Sequence, residues 1–311
     1  MLSRVADNLY WMSRYLERAE HTARVTSVQF NLMLEQDPGS EGQRWSRVLA
    51  SLGSQDAEGD PFNSAQDFAL DQTMTSIGSA RENARQVREQ ISSEMWEQLN
   101  RLFHESRRLG AAEAWAAQPQ ELLHMVVHNS HEFQGVTDST MIHGEGWHFI
   151  QAGRFMERVQ STARLIDVHC DEFLSDDGEP VNASGHMELI GLLRSCTAFE
   201  AYCKVHTAEL RPERVAEFLL MNPDFPHSVR FGVGELRRSL EAVHGLTSTR
   251  RSERLGKVAG RLTAALSYTP IEEVMAELHE FLMNIRQLCG QIHAGIYQAY
   301  IVYPIEAALE A

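Results

Sequence analysis

The feature that most restricts this chain is a sentence it writes twice. RYLERAEHTARVTSV begins at Arg14, and RFMERVQSTARLIDV begins at Arg154, 140 positions later. Arg14/Arg154, Glu17/Glu157, Arg18/Arg158, Thr22/Thr162, Ala23/Ala163, Arg24/Arg164 and Val28/Val168 are identical, and Tyr15/Phe155, Leu16/Met156 and Val25/Leu165 are conservative. Such a repeat implies two units with one plan, and two copies are too few for a solenoid. A turn-rich segment follows each copy, QDPGSEG after the first and SDDGEPVNASG after the second. The expectation is therefore one domain over 1–311, built from pseudo-twofold halves of about 1–140 and 141–311.

Apolar residues recur at helical spacing along most of the chain, as in Leu9, Met12, Leu16, Ala19 and Ala23, or Ile271, Val274, Leu278, Phe281, Leu282, Ile285 and Leu288. Alternating strand patterns are scarce. The spacing predicts helices over about 3–35, 42–52, 79–109, 111–133, 145–174, 185–206, 211–219, 226–245, 248–265 and 270–308. GSQDAEGDPFNSAQD, at 53–67, reads as a loop. The fold class is all-α, a multi-helix bundle of about eight to ten helices.

With 311 residues, 43% of them hydrophobic, the chain can bury a core without metal or disulfide staples. Its formal charge of −15 argues against nonspecific binding to nucleic acid or anionic membrane. Cys170, Cys196, Cys203 and Cys289 show no C-x-x-C spacing and are expected as buried thiols. The charged N-terminal stretch lacks the apolar run of a signal peptide, and no segment reaches the length of a membrane span. The expected location is the cytoplasm.

On a helix, Arg14, Glu17, Arg18 and His21 form one stripe, as do Arg154, Glu157, Arg158 and Ser161. Three arrangements satisfy this pattern. The stripes can be solvated faces with weak ion pairs. They can meet in a buried clamp, Glu17 on Arg158 and Glu157 on Arg18. They can also line a cleft in which Arg14 or Arg154 receives a carboxylate or phosphate through its planar fork.

Further candidates lie outside the repeat. SARENARQVREQISSEMWEQLN, from Ser79, carries Arg81, Arg85 and Arg88 on one helical face, with Asn83 and Trp96 nearby. GVTDSTMIHGEGWHF reads as a loop leading into the second copy, where His143, Gly144, Glu145 and Trp147 can cradle an anion with free amides. Arg81, Arg85, Arg154 and HGEGW are expected at one concave polar site. Arg194 and Glu200 are candidates for linking the C-terminal half to the charged cluster. The short apolar helix in RPERVAEFLLMNPDFPHSV suits either the core or a partner surface. The E-x-x-H pairs Glu121/His124 and Glu241/His244 are no more than chance allows, so no metal or other cofactor is expected.

LYWMSRYLERAEHTAR, ARENARQVREQISSEMWEQLN, GWHFIQAGRFMERVQSTARL, and LLRSCTAFEAY with RPERVAEFLLMNPDFPHSV occur in this order, and with them the chain resembles the bacterial alpha-E domain family over essentially its whole length. That resemblance implies a setting beside, or fused to, circularly permuted ATP-grasp proteins, often with transglutaminase-like peptidases nearby. It suggests synthesis, attachment or removal of a small peptide. The chain itself shows no phosphate-holding loop or sheet-borne Mg²⁺ carboxylates for ATP-grasp chemistry. Two roles follow. One is a helical partner of an ATP-grasp amide ligase that binds a peptide or small anion through an Arg/Glu cleft. The other is an independent amide-forming or amide-hydrolysing enzyme using Glu157 or Glu94 as general base.

Overall fold

A computed structural model describes residues 1–33, 41–54, 61–173, 183–207, 209–246 and 250–302. Fourteen α-helices and no strand occur among them: α1 (Ser3–Met33), α2 (Glu41–Leu52), α3 (Pro61–Gln86), α4 (Ser93–Leu109), α5 (Ala112–Ala117), α6 (Pro119–Thr140), α7 (Glu145–Phe173), α8 (Ala183–Ser195), α9 (Phe199–His206), α10 (Pro212–Met221), α11 (Val229–Leu246), α12 (Arg250–Tyr268), α13 (Ile271–Ala276) and α14 (Leu278–Ile296). The turn segments expected at 36–42 and 175–185, and the helix end at 308, lie wholly or partly outside the described residues. So does the Cys170 side chain.

The chain is all-α, as its periodicity implies, with more helices than eight to ten because long apolar runs are cut by local stops. The expected 79–109 helix breaks after Gln86, and α4 restarts where the Ser92 side chain accepts the Met95 backbone N–H. Pro119 opens α6 at its first turn, dividing 111–133 in two. Thr197, in the left-handed region at φ 52°, separates α8 from α9. The region read as a loop to residue 67 instead starts α3 at Pro61. Ala65, Ala69, Thr73, Ser76, Ile77, Ala80 and Ala84 of α3 are buried, and α3 packs extensively on α1.

Helices α1 and α7, which hold the two copies of the repeat, lie side by side at the centre. They run in the same direction and in register. A Cβ on Gly146 would touch Leu9, Ser13 Oγ donates to the Ile150 carbonyl at 2.7 Å, and a Cβ on Gly153 would lie 2.2 Å from the Tyr10 carbonyl. Gly153 is the repeat partner of Ser13, so corresponding positions meet each other at the closest approach. Around this pair, α3 and α6 flank α1 while α11 and α14 flank α7. Leu9, Met12, Leu16, Ala19 and Ala23 are all in the core.

Short α10 buries Val215, Ala216, Phe218, Leu219 and Leu220, so it serves the core. The DFPHSV turn behind it is held by Asn222 Oδ1, which accepts the Asp224 and Phe225 backbone N–H groups at 2.9 Å. Cys196 and Cys289 are buried, and burial pushes both thiols up to about 12, so they are inert as nucleophiles at neutral pH. No helix among the described residues is long and apolar enough to cross a membrane.

Candidate functional site

Because α1 and α7 are parallel and in register, the Glu-Arg dipeptide of each faces that of the other. Arg158 grips Glu17 through both Nε and Nη2, the second contact at 3.0 Å. Reciprocally, Arg18 Nε donates to Glu157 Oε1 at 2.6 Å. Arg14 adds a second cation to Glu157, with Nε at 2.8 Å and Nη2 at 2.7 Å from Oε2. Arg14, Glu17, Glu157 and Arg158 are all buried, so this is the clamp arrangement rather than a solvated face. Burial alone would raise the Glu157 carboxyl, but Arg14 and Arg18 outweigh it and hold the pKa below the ordinary value. Removing one partner from such a pair typically costs about 3–5 kcal/mol.

The clamp has polar walls. Arg14 Nη2 donates to Gln160 Oε1 at 3.1 Å and Nη1 lies 3.3 Å from His293 Nδ1, which is 3.0 Å from the Tyr10 hydroxyl. Arg158 Nη1 reaches the Pro226 carbonyl at 3.3 Å, fixing the DFPHSV turn to the centre. One turn along α1, buried Arg24 donates to buried Glu20 at 2.6 Å, and His131 lies 3.4 Å from the same carboxylate. Burial in that cluster pushes His21 down to about 4.

Arg154 has a different environment from its repeat partner. It lines a water-sized cavity with Ser13, Leu16, Glu17, Phe133, Gln134, Thr137 and Ile150, and its Nε lacks a hydrogen bond. Burial and the nearby Arg158 lower its pKa, against the opposite pull of Glu17, Asp138 and Glu235. Its guanidinium lies over the Phe155 ring. The cavity has room for about one water and for no peptide.

The anion pocket expected from Arg81, Arg85, Arg154 and the HGEGW segment does not assemble. Arg81 donates to Asn100 at 2.8 Å and covers the Trp96 and Phe103 rings; Arg88 lies over Trp96. Arg85 is exposed and paired with Glu82 on its own helix, while Asn83 bonds the Ser79 carbonyl. These contacts follow from α4 folding back on α3 after the break at Val87, so Arg81 and Arg88 cover aromatic rings and Arg85 pairs along its own helix. Gly135 is inside α6, which leaves only a short turn before α7. There His143 stacks on Trp147, whose Nε1 donates to Asp138 at 3.1 Å. Gly144 accepts the His148 N–H, and Glu145 pairs with the Met1 amine at 2.8 Å. Asp138 of α6 is thus a group that both Trp147 and Arg154 engage. Arg194 and Glu200 are exposed, with Arg194 over Phe199, and neither links to the clamp.

Neither proposed catalytic carboxylate is placed as a base. Glu157 is ionised, buried and bound on both oxygens, and Glu94 is exposed in the first turn of α4. The glutamate that burial does raise is Glu188, against the opposing pull of Arg47 at 3.2 Å and Arg44. It sits with Gln29, Ser51 and His169 around another cavity of little more than water size. A lone Glu on an apolar helix, ELIGLLRS, was its only signal in the sequence. Among the described residues no three His, Cys, Asp or Glu side chains converge to hold a metal ion.

The sequence profile of the Alpha-E family, described as a predicted alpha-helical domain with a conserved ER motif, matches residues 1–301. The chain belongs to the Alpha-E family. Its Glu-Arg dipeptides occur at 17–18 and 157–158, and also at 213–214, where the Glu is exposed and the Arg half-buried, and at exposed positions 253–254. Only in the first two do the Glu and Arg exchange partners across α1 and α7. Among curated proteins, the domain is 25% identical to an uncharacterised protein of Mycobacterium bovis and 24% identical to one of Mycobacterium tuberculosis strain H37Rv, over 94% of this chain in each case. It spans about a third of those relatives' length, 35%. No solved structure matches it.

Proposed function

We propose that this Alpha-E domain is the helical, non-ligating partner of a circularly permuted ATP-grasp amide ligase in a cytoplasmic peptide synthesis or modification system, where it holds an anionic group of the substrate. The observation that carries this reading is the clamp: both repeated glutamates are locked in ion pairs, which removes Glu157 as the general base of an independent enzyme. The match to about a third of longer relatives supports a module that works beside other polypeptide. The identity of the ligase, and of a transglutaminase-like peptidase as a further partner, rests on the family resemblance.

The test is copurification with the neighbouring ATP-grasp protein, followed by ATP-dependent amide formation with and without this chain. The expected result is a stable complex and product only in the mixture. Product from this chain alone would reverse the assignment, and full product from the ligase alone would remove the accessory role.

A further inference from the structure

Helix α12 arranges its charges unlike the helices beside it. Ser252, Leu255, Ala259, Leu262 and Leu266 form its buried face, spaced alternately by three and four residues. Arg254, Lys257, Arg261, Ala264 and Tyr268 repeat that spacing on the opposite face, and all five are exposed. The cations therefore stand one turn apart, with Arg251 a further turn before Arg254. Like charges at that spacing weaken a helix. Elsewhere the surface pairs such residues with acids, Arg85 with Glu82 on α3, and Arg237 with Glu241 and Arg238 with Glu235 on α11. On α12, Arg254, Lys257 and Arg261 make no hydrogen bond or ion pair among the described residues. Glu253, the one acid of this helix, joins none of them.

Two adjoining grooves bring these residues together. One, of about 670 Å³, is lined by Arg254, Lys257, Val258, Gly260, Arg261 and Ala264. A Cβ on Gly260 would meet nothing within 4 Å, so the floor is open. The other, of about 570 Å³, continues from Arg254 and Val258 to Arg251 and Val302, and its far wall on α14 is uncharged, with Gln291, Ala294 and Gln298. Arg251 is held there by the Gln298 carbonyl at 3.2 Å. Val302 and Tyr268, 56% and 83% exposed, put apolar surface at the two ends of the cationic row.

We propose that the outer stripe of α12, from Arg254 to Tyr268, docks an acidic amphipathic helix of another polypeptide. Alternating three- and four-residue spacing is the seam that two packed helices share. Carboxylates at matching positions end the repulsion along the row, and Val258, Ala264 and Tyr268 receive the partner's apolar side chains. Glu306 and Glu310 follow Val302 and lie outside the described residues; they bring two carboxylates to a row of four cations and do not satisfy it. The formal charge of −15 sets the rest of the chain against a nucleic acid or a lipid surface, whereas a single helix meets only the stripe. This deepens the accessory reading by giving a surface on which a partner is met, and it rests on that reading only for which polypeptide carries the helix.

The test uses the full chain and a labelled synthetic helical peptide with Glu and Leu at alternating three- and four-residue spacing, followed by fluorescence anisotropy. A peptide of the same composition in scrambled order is the control. The patterned peptide should bind saturably, lose affinity as salt is added, and bind at least about tenfold more tightly than the scrambled one. Arg254→Gln, Lys257→Gln and Arg261→Gln together should weaken binding by at least about tenfold, yet the domain should melt no lower, because only repulsion is removed. Arg85→Gln, Arg237→Gln and Arg238→Gln together remove as much charge from paired arginines and should leave binding unchanged. Absence of saturable binding, equal binding of the two peptides, or equal loss in the two triple variants overturns the surface. So does tighter binding after Glu306→Gln with Glu310→Gln, which would assign the stripe to this chain's own segment, and so does a preference for a single-stranded oligonucleotide or anionic vesicles over the peptide. A ligase complex that forms equally well with the α12 variant would overturn this surface and leave the accessory role standing.

Discussion

The two copies of the repeat share their charged residues and use them differently. In the first, Arg14 is enclosed by Glu157, Gln160 and Tyr10, and Arg24 is closed by Glu20. In the second, Arg154 keeps an unpaired Nε beside Arg158, and Arg164 makes no ion pair among the described residues. Position by position, Arg24 has a carboxylate one turn before it and Arg164 a neutral amide, although Asp167 in place of Ser27 gives the two copies the same formal charge. Identical residues within α1 and α7 therefore do not have identical energetics, because α14 and His293 cover one side of the pair and α6 with Asp138 covers the other. Architecture follows what the copies share, the Glu17–Arg158 and Glu157–Arg18 exchange.

The largest expected effect tests the shared part. Glu157→Gln leaves Arg14 and Arg18 without their carboxylate in a buried setting and should destabilise the domain by about 3–5 kcal/mol, read as a large fall in melting temperature. Glu94→Gln, at an exposed site in α4, should change it little. Equal melting temperatures for the two variants would show that the clamp does not hold α1 to α7.

How far the sequence carried this picture depends on which residues are asked. Apolar spacing revealed the all-α class, and the repeat revealed the two charged stripes with the buried clamp as one of three arrangements they allow, since each is a matter of helical spacing plus the chemistry of Glu and Arg. It did not show the breaks at Val87, Gln118 and Thr197, because apolar periodicity continues across them and only a cap, a proline or a left-handed residue marks the stop. Helix α3 was misread at its start because the face it buries is made of Ala, Ser and Thr, whose weak hydrophobicity hides a close contact with α1. The Arg81–Arg85 site failed for a related reason: spacing fixes which face a side chain occupies, but not that α4 returns to place Trp96 and Asn100 under it. The difference between Glu20 and Gln160 was legible in the aligned copies, whereas the absence of an ion pair at Arg164 among the described residues was not.

A smaller effect sharpens the contrast at His21, whose repeat partner is Ser161. Burial, with Arg24 nearby, holds His21 down to about 4, while Glu20 and Glu157 oppose that shift. The unfolded chain binds a proton near the ordinary value of 6.5, and the folded state does not until about 4. His21 therefore favours folding fully above 6.5 and loses that contribution as pH falls towards 4, at up to about 1.4 kcal/mol per pH unit. Exchanging it for the residue of the other copy, His21→Ser, should reduce the slope of stability against pH in this window by up to about one proton. Denaturant titrations at several pH values measure that slope. An unchanged slope would place the titration elsewhere, for instance at His227, which burial also holds well below its ordinary value.

The smallest effect is expected where the copies diverge most. Arg154 has an unsatisfied Nε, lies beside Arg158, and contributes mainly its contact with Phe155 and its weak attraction to Glu17, Asp138 and Glu235. Methionine keeps most of the apolar stem and removes a charge that burial already disfavours. Arg154→Met should thus change stability by less than about 1 kcal/mol, in either direction. Arg14→Met takes one of two cations from Glu157 and also strands Gln160 and Tyr10, so its cost should be several times larger. Guanidinium denaturation of the two variants side by side decides the matter. If Arg154→Met proves as costly as Arg14→Met, the second copy is neutralised after all, through Glu17, Asp138 and Glu235 acting together, and the asymmetry between the halves is confined to Arg164.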